Sequence, residues 1–342
     1  MSTMTDAASL PTFKDCQQEH PNAIAQVLVC LDRSALSDGC LPYAGFAAKA
    51  FGAKLTLLHV LPSATAAHEP NRADALEAEI AKREADHYLD DAMGGLDIAR
   101  ERLTGRVAQG SPAEQIAAVA QEIRADLTIL CSHGQGAEGR TSELGSVAQH
   151  VLSRASGSVL LVQPMSMAPI PPNRILVPLD GSMRSECVLP MVTAMGKLHG
   201  AEVLLLHVVT EPRSTAVLST PQDMQLAQSL ALRIQQNAED YLSRIRVRLL
   251  PELDSVKTLV VRRAEERQAL IDVAVDRKAD MLVLAAHGTT CNADRAFGSV
   301  TSFLLSHARL PIFVLQDMPR RAVTKNSEPP RLSLSSRPPE VD

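Results

Sequence analysis

The sequence predicts an α/β protein with two tandem doubly wound (Rossmann-like) domains, each a five-stranded parallel sheet with helices on both faces. Three observations predict this fold. The chain of 342 residues is long enough for two domains. Its sequence contains an internal repeat. Within each copy, near-continuous aliphatic strands alternate with helical patterns, which is typical of a parallel sheet buried on both faces.

The repeat consists of four matches that occur in the same order in both copies. Segments 27–32, 53–60, 125–134 and 145–147 of the first copy resemble segments 175–180, 201–208, 279–288 and 298–300 of the second. The members of each match lie 148, 148, 154 and 153 residues apart, in that order. A nearly constant separation over four matches indicates two copies of one structural unit.

The hydrophobic pattern predicts the same elements in each copy. The first copy is expected to have helices at 41–51, 71–93, 113–123 and 146–153 and its last strand at 159–162. The second copy is expected to have helices at 185–198, 221–249, 267–275 and 299–307 and its last strand at 312–315.

The domain boundaries are expected to follow these elements. Residues 1–21 are predicted to be a flexible N-terminus, 22–166 the first domain, 167–173 a proline-containing linker and 174–316 the second domain. Residues 317–342 are rich in Pro, Ser and Arg and have no periodicity, so a disordered tail is expected there.

Composition and charge argue against several classes of function. The net charge is −5, and the aromatic content is 3% without any Trp, so neither the electrostatics nor the stacking surfaces of a nucleic-acid-binding protein are present. No stretch approaches the roughly 18–20 apolar residues of a membrane helix, and the N-terminus lacks a signal-peptide pattern. The six cysteines have no zinc or CxxC spacing and are expected to be reduced, which favours a cytoplasmic location.

Enzymatic motifs are also missing from the sequence. There is no P-loop, no nucleophile elbow and no cluster at metal-ligand spacing. The protein is therefore not expected to be an enzyme.

One loop in the second copy has the features of an anion site. Ligands of doubly wound sheets bind beyond the carboxyl ends of the strands, where the strand order reverses. Asp180 ends the first strand, and His287 and Gly288 end the fourth, so the two segments line one crevice if those strands are neighbours. The free N–H groups at a helix start bind anions, and Ser299 begins the next helix. Gly288 and Gly298 would let a ligand approach the backbone closely.

Simpler explanations exist for the same residues. Asp180 and Asp32 are also suited to capping the turns that follow them, and the glycines to turning the chain. His287 and His133 are suited equally to ligand contact and to the turn.

The layout resembles the universal stress protein family in a tandem, two-domain form, over about residues 22–316. The ATP-binding members of that family carry G-x2-G-x9-G-S/T after the fourth strand, an Asp at the end of the first strand and an LLHV-like second strand. The second copy reads A-x2-G-x9-G-S from Ala285 to Ser299, so one glycine is replaced. The first copy reads C-x2-G-x10-G-S from Cys131 to Ser146, with a cysteine in that position and a longer loop.

The resemblance implies roles for the matching residues. In the second copy, Asp180 and the backbone of Val208 would contact the adenine. Ala285 and Gly288 would lie under the ribose and phosphates. Gly298 and Ser299 would bind the distal phosphates. The weaker equivalents in the first copy are Asp32, Val60, Gly134, Gly145 and Ser146.

The resemblance also implies an assembly. Single-domain members of the family dimerise by pairing their last strands. The tandem chain resembles that dimer made covalent, so strand 159–162 is expected to pair with strand 312–315 as an intrachain pseudo-dimer, and a further homodimer stays open.

Three functions follow as alternatives. The first is a stress-response module that binds ATP, an adenine nucleotide, in the second domain and so alters a surface for a protein partner. No Lys lies in either loop, so Mg²⁺ would have to neutralise the triphosphate, while Arg140 and Arg295 are candidate phosphate contacts. The second is an interaction protein without a nucleotide, and the third is a slow ATPase.

Overall fold

The computed structural model describes residues 24–62, 72–134, 144–155, 157–163, 169–210, 221–289 and 295–317. The predicted N-terminal segment 1–21 and residues 318–342 of the predicted tail lie outside these ranges. The first half contains β1 (Gln26–Leu31), α1 (Ala35–Asp38), α2 (Cys40–Phe51), β2 (Lys54–Leu61), α3 (Arg72–Gly94), a 3-10 helix (Arg100–Arg102), β3 (Leu103–Gln109), α4 (Pro112–Glu122), β4 (Leu127–Cys131), α5 (Ser146–Arg154) and β5 (Ser158–Val162).

The second half repeats this order. It contains β6 (Arg174–Pro178), α6 (Met183–Glu186), α7 (Leu189–His199), β7 (Glu202–Thr210), α8 (Pro221–Leu249), β8 (Val256–Arg263), α9 (Glu266–Asp276), β9 (Met281–Ala285), α10 (Ser299–His307) and β10 (Ile312–Leu315). The alternation of strands and helices confirms the predicted α/β class, with two tandem Rossmann-like units.

The two five-stranded sheets join into one. The strand order is β3-β2-β1-β4-β5-β10-β9-β6-β7-β8. All pairs within each half are parallel, whereas β5 and β10 are antiparallel, with Leu160 opposite Phe313. The predicted pairing of strand 159–162 with strand 312–315 is therefore confirmed within the chain.

The condition for a shared crevice is also met. β1 pairs with β4 in the first half, and β6 pairs with β9 in the second. The strand order reverses at these pairs, because the chain continues to β2 or β7 on one side and returns to β5 or β10 on the other. The carboxyl ends of β6 and β9 consequently open into one space.

The core has two aliphatic layers, one on each face of the sheet. Alternating strand residues contribute to opposite layers, as when Val27 and Val29 enter one cluster and Leu28 the other. One layer lies under α2, α3, α7 and α8, and the other under α4, α5, α9 and α10. The seam is part of this core, since Phe313 is only 1% exposed.

Some sequence predictions were wrong in detail. The predicted helix 185–198 is two helices, α6 and α7, because Pro190 lacks an N–H group and occupies the first turn of α7. The sequence pattern did not locate β3 and β8, which are edge strands with many exposed residues and so a weak hydrophobic signal. Asp317 was assigned to the tail, but it is 2% exposed and belongs to the ordered structure.

The described residues contain no helix that is long and apolar enough to cross a membrane. Within the same part of the chain, His, Cys, Asp and Glu form no group of three or more that would hold a metal ion. Cys30, Cys40, Cys131 and Cys187 are free thiols.

Candidate functional site

A cleft of about 270 Å³ lies at the carboxyl ends of β6, β7 and β9. Its volume is near the lower end of the roughly 300–1,000 Å³ of small-molecule sites. Seven residues that the sequence predicted for the second-domain site line it: Asp180, Val208, Ala285, His287, Gly288, Gly298 and Ser299. The candidate phosphate contact Arg295 is not among the lining residues. The fold thus brings the ends of three strands and the start of α10 to one cleft.

The start of α10 is held against the end of β9. The N–H group of Gly298 donates to the carbonyl of Ala286 over 2.8 Å, which closes the base of the loop. The hydroxyl of Thr301 donates to the carbonyl of Ala285 over 3.1 Å. Ser299 is exposed and is the first residue of α10, so the free N–H groups of this helix start border the cleft.

Asp180 caps the turn that follows it and also binds the loop after β9. Its Oδ1 accepts from the N–H and hydroxyl groups of Ser182 over 2.9 and 2.6 Å. Its Oδ2 accepts from the N–H and hydroxyl groups of Thr289 over 2.7 and 2.8 Å. Burial raises the pKa of the Asp180 carboxyl, but the hydrogen bonds outweigh burial and place the pKa below its usual value.

Gly288 is in direct contact with this carboxylate. A Cβ atom at Gly288 would overlap Oδ2 of Asp180. A glycine is therefore required at this position by the protein's own packing as well as by any ligand. The sequence alone suggested ligand approach and chain turning as reasons for this glycine, but not its contact with Asp180.

A buried charged network holds the loop from the other side. His287 Nδ1 lies 2.8 Å from Oδ1 of Asp317, and Oδ2 of Asp317 accepts from Arg184 over 2.7 Å. His287 Nε2 lies 3.1 Å from the carbonyl oxygen of Arg295. The hydrogen bond to Asp317 raises the pKa of His287, against the opposing effect of burial. The ring of His287 thus braces the loop, and Arg295 takes part through its backbone.

The cleft contains functional candidates that the sequence analysis missed. Thr289, Ser185, Thr301 and Glu266 line it. Burial and the nearby charge of Asp180 raise the pKa of the Glu266 carboxyl. A hydroxyl residue directly after Gly288 was a signal for Thr289, but no local pattern indicated Glu266.

The first domain repeats the contacts of Asp180 with Gly288 and of Gly298 with the end of the fourth strand. Asp32 Oδ1 accepts from the N–H and hydroxyl groups of Ser34 over 2.9 and 2.5 Å, and a Cβ atom at Gly134 would lie 2.6 Å from Asp32 Oδ2. The N–H group of Gly145 donates to the carbonyl of Ser132 over 2.8 Å, next to the start of α5 at Ser146. Val60 lies near the end of β2. Residues 135–143 of the loop, with Arg140, lie outside the described residues.

The histidines that end the second strands have structural roles. His59 Nδ1 lies 2.9 Å from the carbonyl of Leu31, and His207 Nδ1 lies 2.7 Å from the carbonyl of Leu179. Each ring also packs edge-on against a tyrosine. Packing and local hydrogen bonding therefore account for both residues.

The tandem doubly wound fold defines a Rossmann-like α/β class of protein, in which the strand-order reversal is the usual place for a ligand. The sequence model described as "Universal stress protein family" matches residues 24–163 and 172–316. The chain therefore belongs to the universal stress protein family, with two copies of its domain.

Individual relatives agree with this assignment. A universal stress protein of Mycolicibacterium smegmatis is 24% identical over 300 residues, which cover 85% of this chain and 96% of the relative. A universal stress protein of Methanocaldococcus jannaschii is 25% identical over 154 residues, 42% of this chain and 94% of the relative. The crystal structure of a universal stress protein from Archaeoglobus fulgidus has a TM-score of 0.56 and 17% identity, covering 86% of this chain and 98% of that one.

Proposed function

We propose that the protein binds an adenine nucleotide, ATP, in the second-domain cleft and acts in the cytoplasm as a nucleotide-dependent regulatory module. The observation that carries the proposal is the convergence of the second-domain candidates on one cleft. The α10 start and Ser299 would take the phosphates, and Val208 and Asp180 would lie toward the base. The bound nucleotide would brace the loop after β9 and so change the surface offered to a protein partner.

The helix start alone does not supply the affinity of a nucleotide complex. A micromolar complex needs about 8 kcal/mol, of which one helix start supplies about 0.3–1 kcal/mol, or up to ~2 when partly buried. No Lys or Arg is among the described residues that line the cleft, whereas Asp180 and Glu266 are. The triphosphate would therefore bind with Mg²⁺, which supplies the missing positive charge.

A second candidate function is an interaction protein that binds no nucleotide. It is favoured by Asp180, whose two oxygens are already engaged by Ser182 and Thr289. Under either function we propose no enzymatic activity, and slow ATP hydrolysis is a third alternative that no contact in the cleft favours.

Replacing Ser299 by glutamate is expected to weaken ATP binding at least tenfold without lowering the melting temperature. A carboxylate at an exposed first helical position stabilises a helix through the dipole, but it repels a phosphate bound there. Titration calorimetry with ATP and Mg²⁺ measures the binding, and a thermal melt measures the fold. The matched control is Ser146→Glu at the start of α5, which tests whether the first domain also binds.

Any nucleotide that copurifies with the protein provides a complementary measurement. Freshly purified protein is denatured, and released nucleotide is identified by chromatography and mass. About one adenine nucleotide per chain supports one site, and about two support both. No released nucleotide, together with no heat on titration, would reject the proposal in favour of the interaction protein.

A further inference from the structure

Glu266 distinguishes the second-domain cleft from the equivalent place in the first domain. It is the first residue of α9, is half-buried and lines the cleft. Pro112 is the corresponding first residue of α4, since both helices follow the third strand of their domain and bury Ile116 or Leu270 four residues later. A carboxylate therefore occupies a position where the other copy has an apolar ring.

The sheet topology places Glu266 on the β7 side of the cleft and Ser299 on the β9 side. α9 packs against β7 and against α10, and α10 follows β9 and packs against β10. β7 and β9 lie on opposite sides of β6, so they are two strand spacings, about 10 Å, apart. A nucleotide with its phosphates at Ser299 would thus direct its base toward β7 and Glu266.

The backbone of β7 offers hydrogen-bonding groups at the same end. The N–H group of Leu179 donates to the carbonyl of Leu206 over 2.8 Å, so Leu206 directs its backbone groups toward β6. Residues two apart in a strand direct these groups to the same side. Val208 therefore directs its N–H and C=O past the end of β6, into the cleft that it lines.

The carboxylate of Glu266 has no hydrogen-bond donor among the described residues. No hydrogen bond or ion pair reaches it from the residues that the structure describes, although its neighbour Glu265 pairs with Arg267. Burial and then the charge of Asp180 raise the pKa of Glu266, and Glu265 adds to the rise, whereas His207 and Arg267 oppose it. A half-buried carboxylate without a donor is costly, so a donor on the ligand would relieve that cost.

We propose that the Glu266 carboxylate accepts a hydrogen bond from the exocyclic amino group of the bound base and makes the cleft select a 6-aminopurine over its 6-oxo analogue. The proposal rests on the proposed function, because it needs a nucleotide in the cleft. The amino group of adenine is a donor, whereas the oxygen of hypoxanthine at the same position is an acceptor. Two facing acceptors repel, and a site built around a donor rejects the analogue that lacks it.

The test compares ATP with inosine triphosphate, both with Mg²⁺, by titration calorimetry on the full chain. The wild type is expected to prefer ATP about tenfold to hundredfold. In Glu266→Gln the preference should fall close to one, because the amide can donate to the 6-oxo group. Glu265→Gln, the control one residue earlier, should keep the wild-type preference. A thermal melt should show Glu266→Gln to be folded with a melting temperature close to that of the wild type, because relief of the half-buried charge and loss of its favourable position at the start of α9 oppose each other.

The outcomes separate the two proposals. An unchanged preference in Glu266→Gln, with ATP still bound, would overturn the role of Glu266 and leave the proposed function intact. A wild type that binds neither nucleotide would overturn both.

Discussion

Replacing Asp317 by alanine is expected to lower the free energy of unfolding by about 3–5 kcal/mol. The side chain of Asp317 is 0% exposed, and its partners Arg184 and His287 are 14% and 1% exposed. Removing the central carboxylate takes away the acceptor of both Arg184 and His287 Nδ1 in a buried site. Urea denaturation followed by circular dichroism measures the loss.

The control is a solvent-exposed ion pair on the same domain. Lys197 and Glu252 are 50% and 52% exposed, so Glu252→Ala should cost no more than about 1 kcal/mol. If Asp317→Ala cost as little as Glu252→Ala, the network around His287 would not be a structural support.

The same network predicts a pH dependence of stability. His287 faces an acceptor at each ring nitrogen, Asp317 at Nδ1 and the carbonyl of Arg295 at Nε2, so the fully bonded ring is the imidazolium. The pKa of His287 is raised in the folded protein. Its contribution is therefore fully present below the unfolded value of about 6.5 and is lost as the pH rises through the raised pKa.

The measurement is the difference in unfolding free energy between wild type and His287→Gln across this range. The difference should shrink as the pH rises. When both proteins also carry Asp317→Asn, the same difference should change little with pH. A difference that grows with pH would contradict the protonated ring.

The parts of the fold that the sequence predicted are those encoded by local pattern or by repetition. The aliphatic strand pattern and the repeat predicted the positions of β6, β9 and the start of α10 along the chain. The resemblance to a family of dimers predicted the pairing of β5 with β10. The convergence of Asp180 and Gly288 followed from the topology, because the first and fourth strands of a doubly wound sheet are neighbours.

The features that the sequence did not predict depend on contacts between distant residues. Asp317 lies in a Pro-, Ser- and Arg-rich stretch, and only its contacts with Arg184 and His287 distinguish it from the tail. Glu265 and Glu266 are consecutive glutamates. Only the position of α9 in the fold makes Glu266 line the cleft while Glu265 is exposed and pairs with Arg267. Hydrophobic periodicity cannot report such contacts, because it describes one element at a time.

Replacing Gly288 by alanine is expected to destabilise the protein by about 1–3 kcal/mol, the range for overpacking a well-packed site. The new Cβ atom would overlap the Asp180 oxygen that also accepts from Thr289. Relieving the overlap requires the Asp180 side chain to rotate or the loop after β9 to move away from the end of β6. The expected change therefore combines lower stability with loss of the Asp180–Thr289 hydrogen bonds.

A double-mutant cycle separates this packing role from ligand binding. In an Asp180→Ala background the overlap is absent, so Gly288→Ala should be close to neutral, and the two sites should couple by about 1–3 kcal/mol. The first domain provides the matched pair, Asp32 with Gly134, where the same coupling is expected to be smaller because the Cβ contact is longer at 2.6 Å. An equal penalty in both backgrounds would show that Asp180 is not the reason for the glycine. If the coupling is found, weaker nucleotide binding by a Gly288 variant is explained by displacement of the loop. Variants of Ser299 and Glu266 then test ligand binding directly, because neither residue packs against Asp180 in this way.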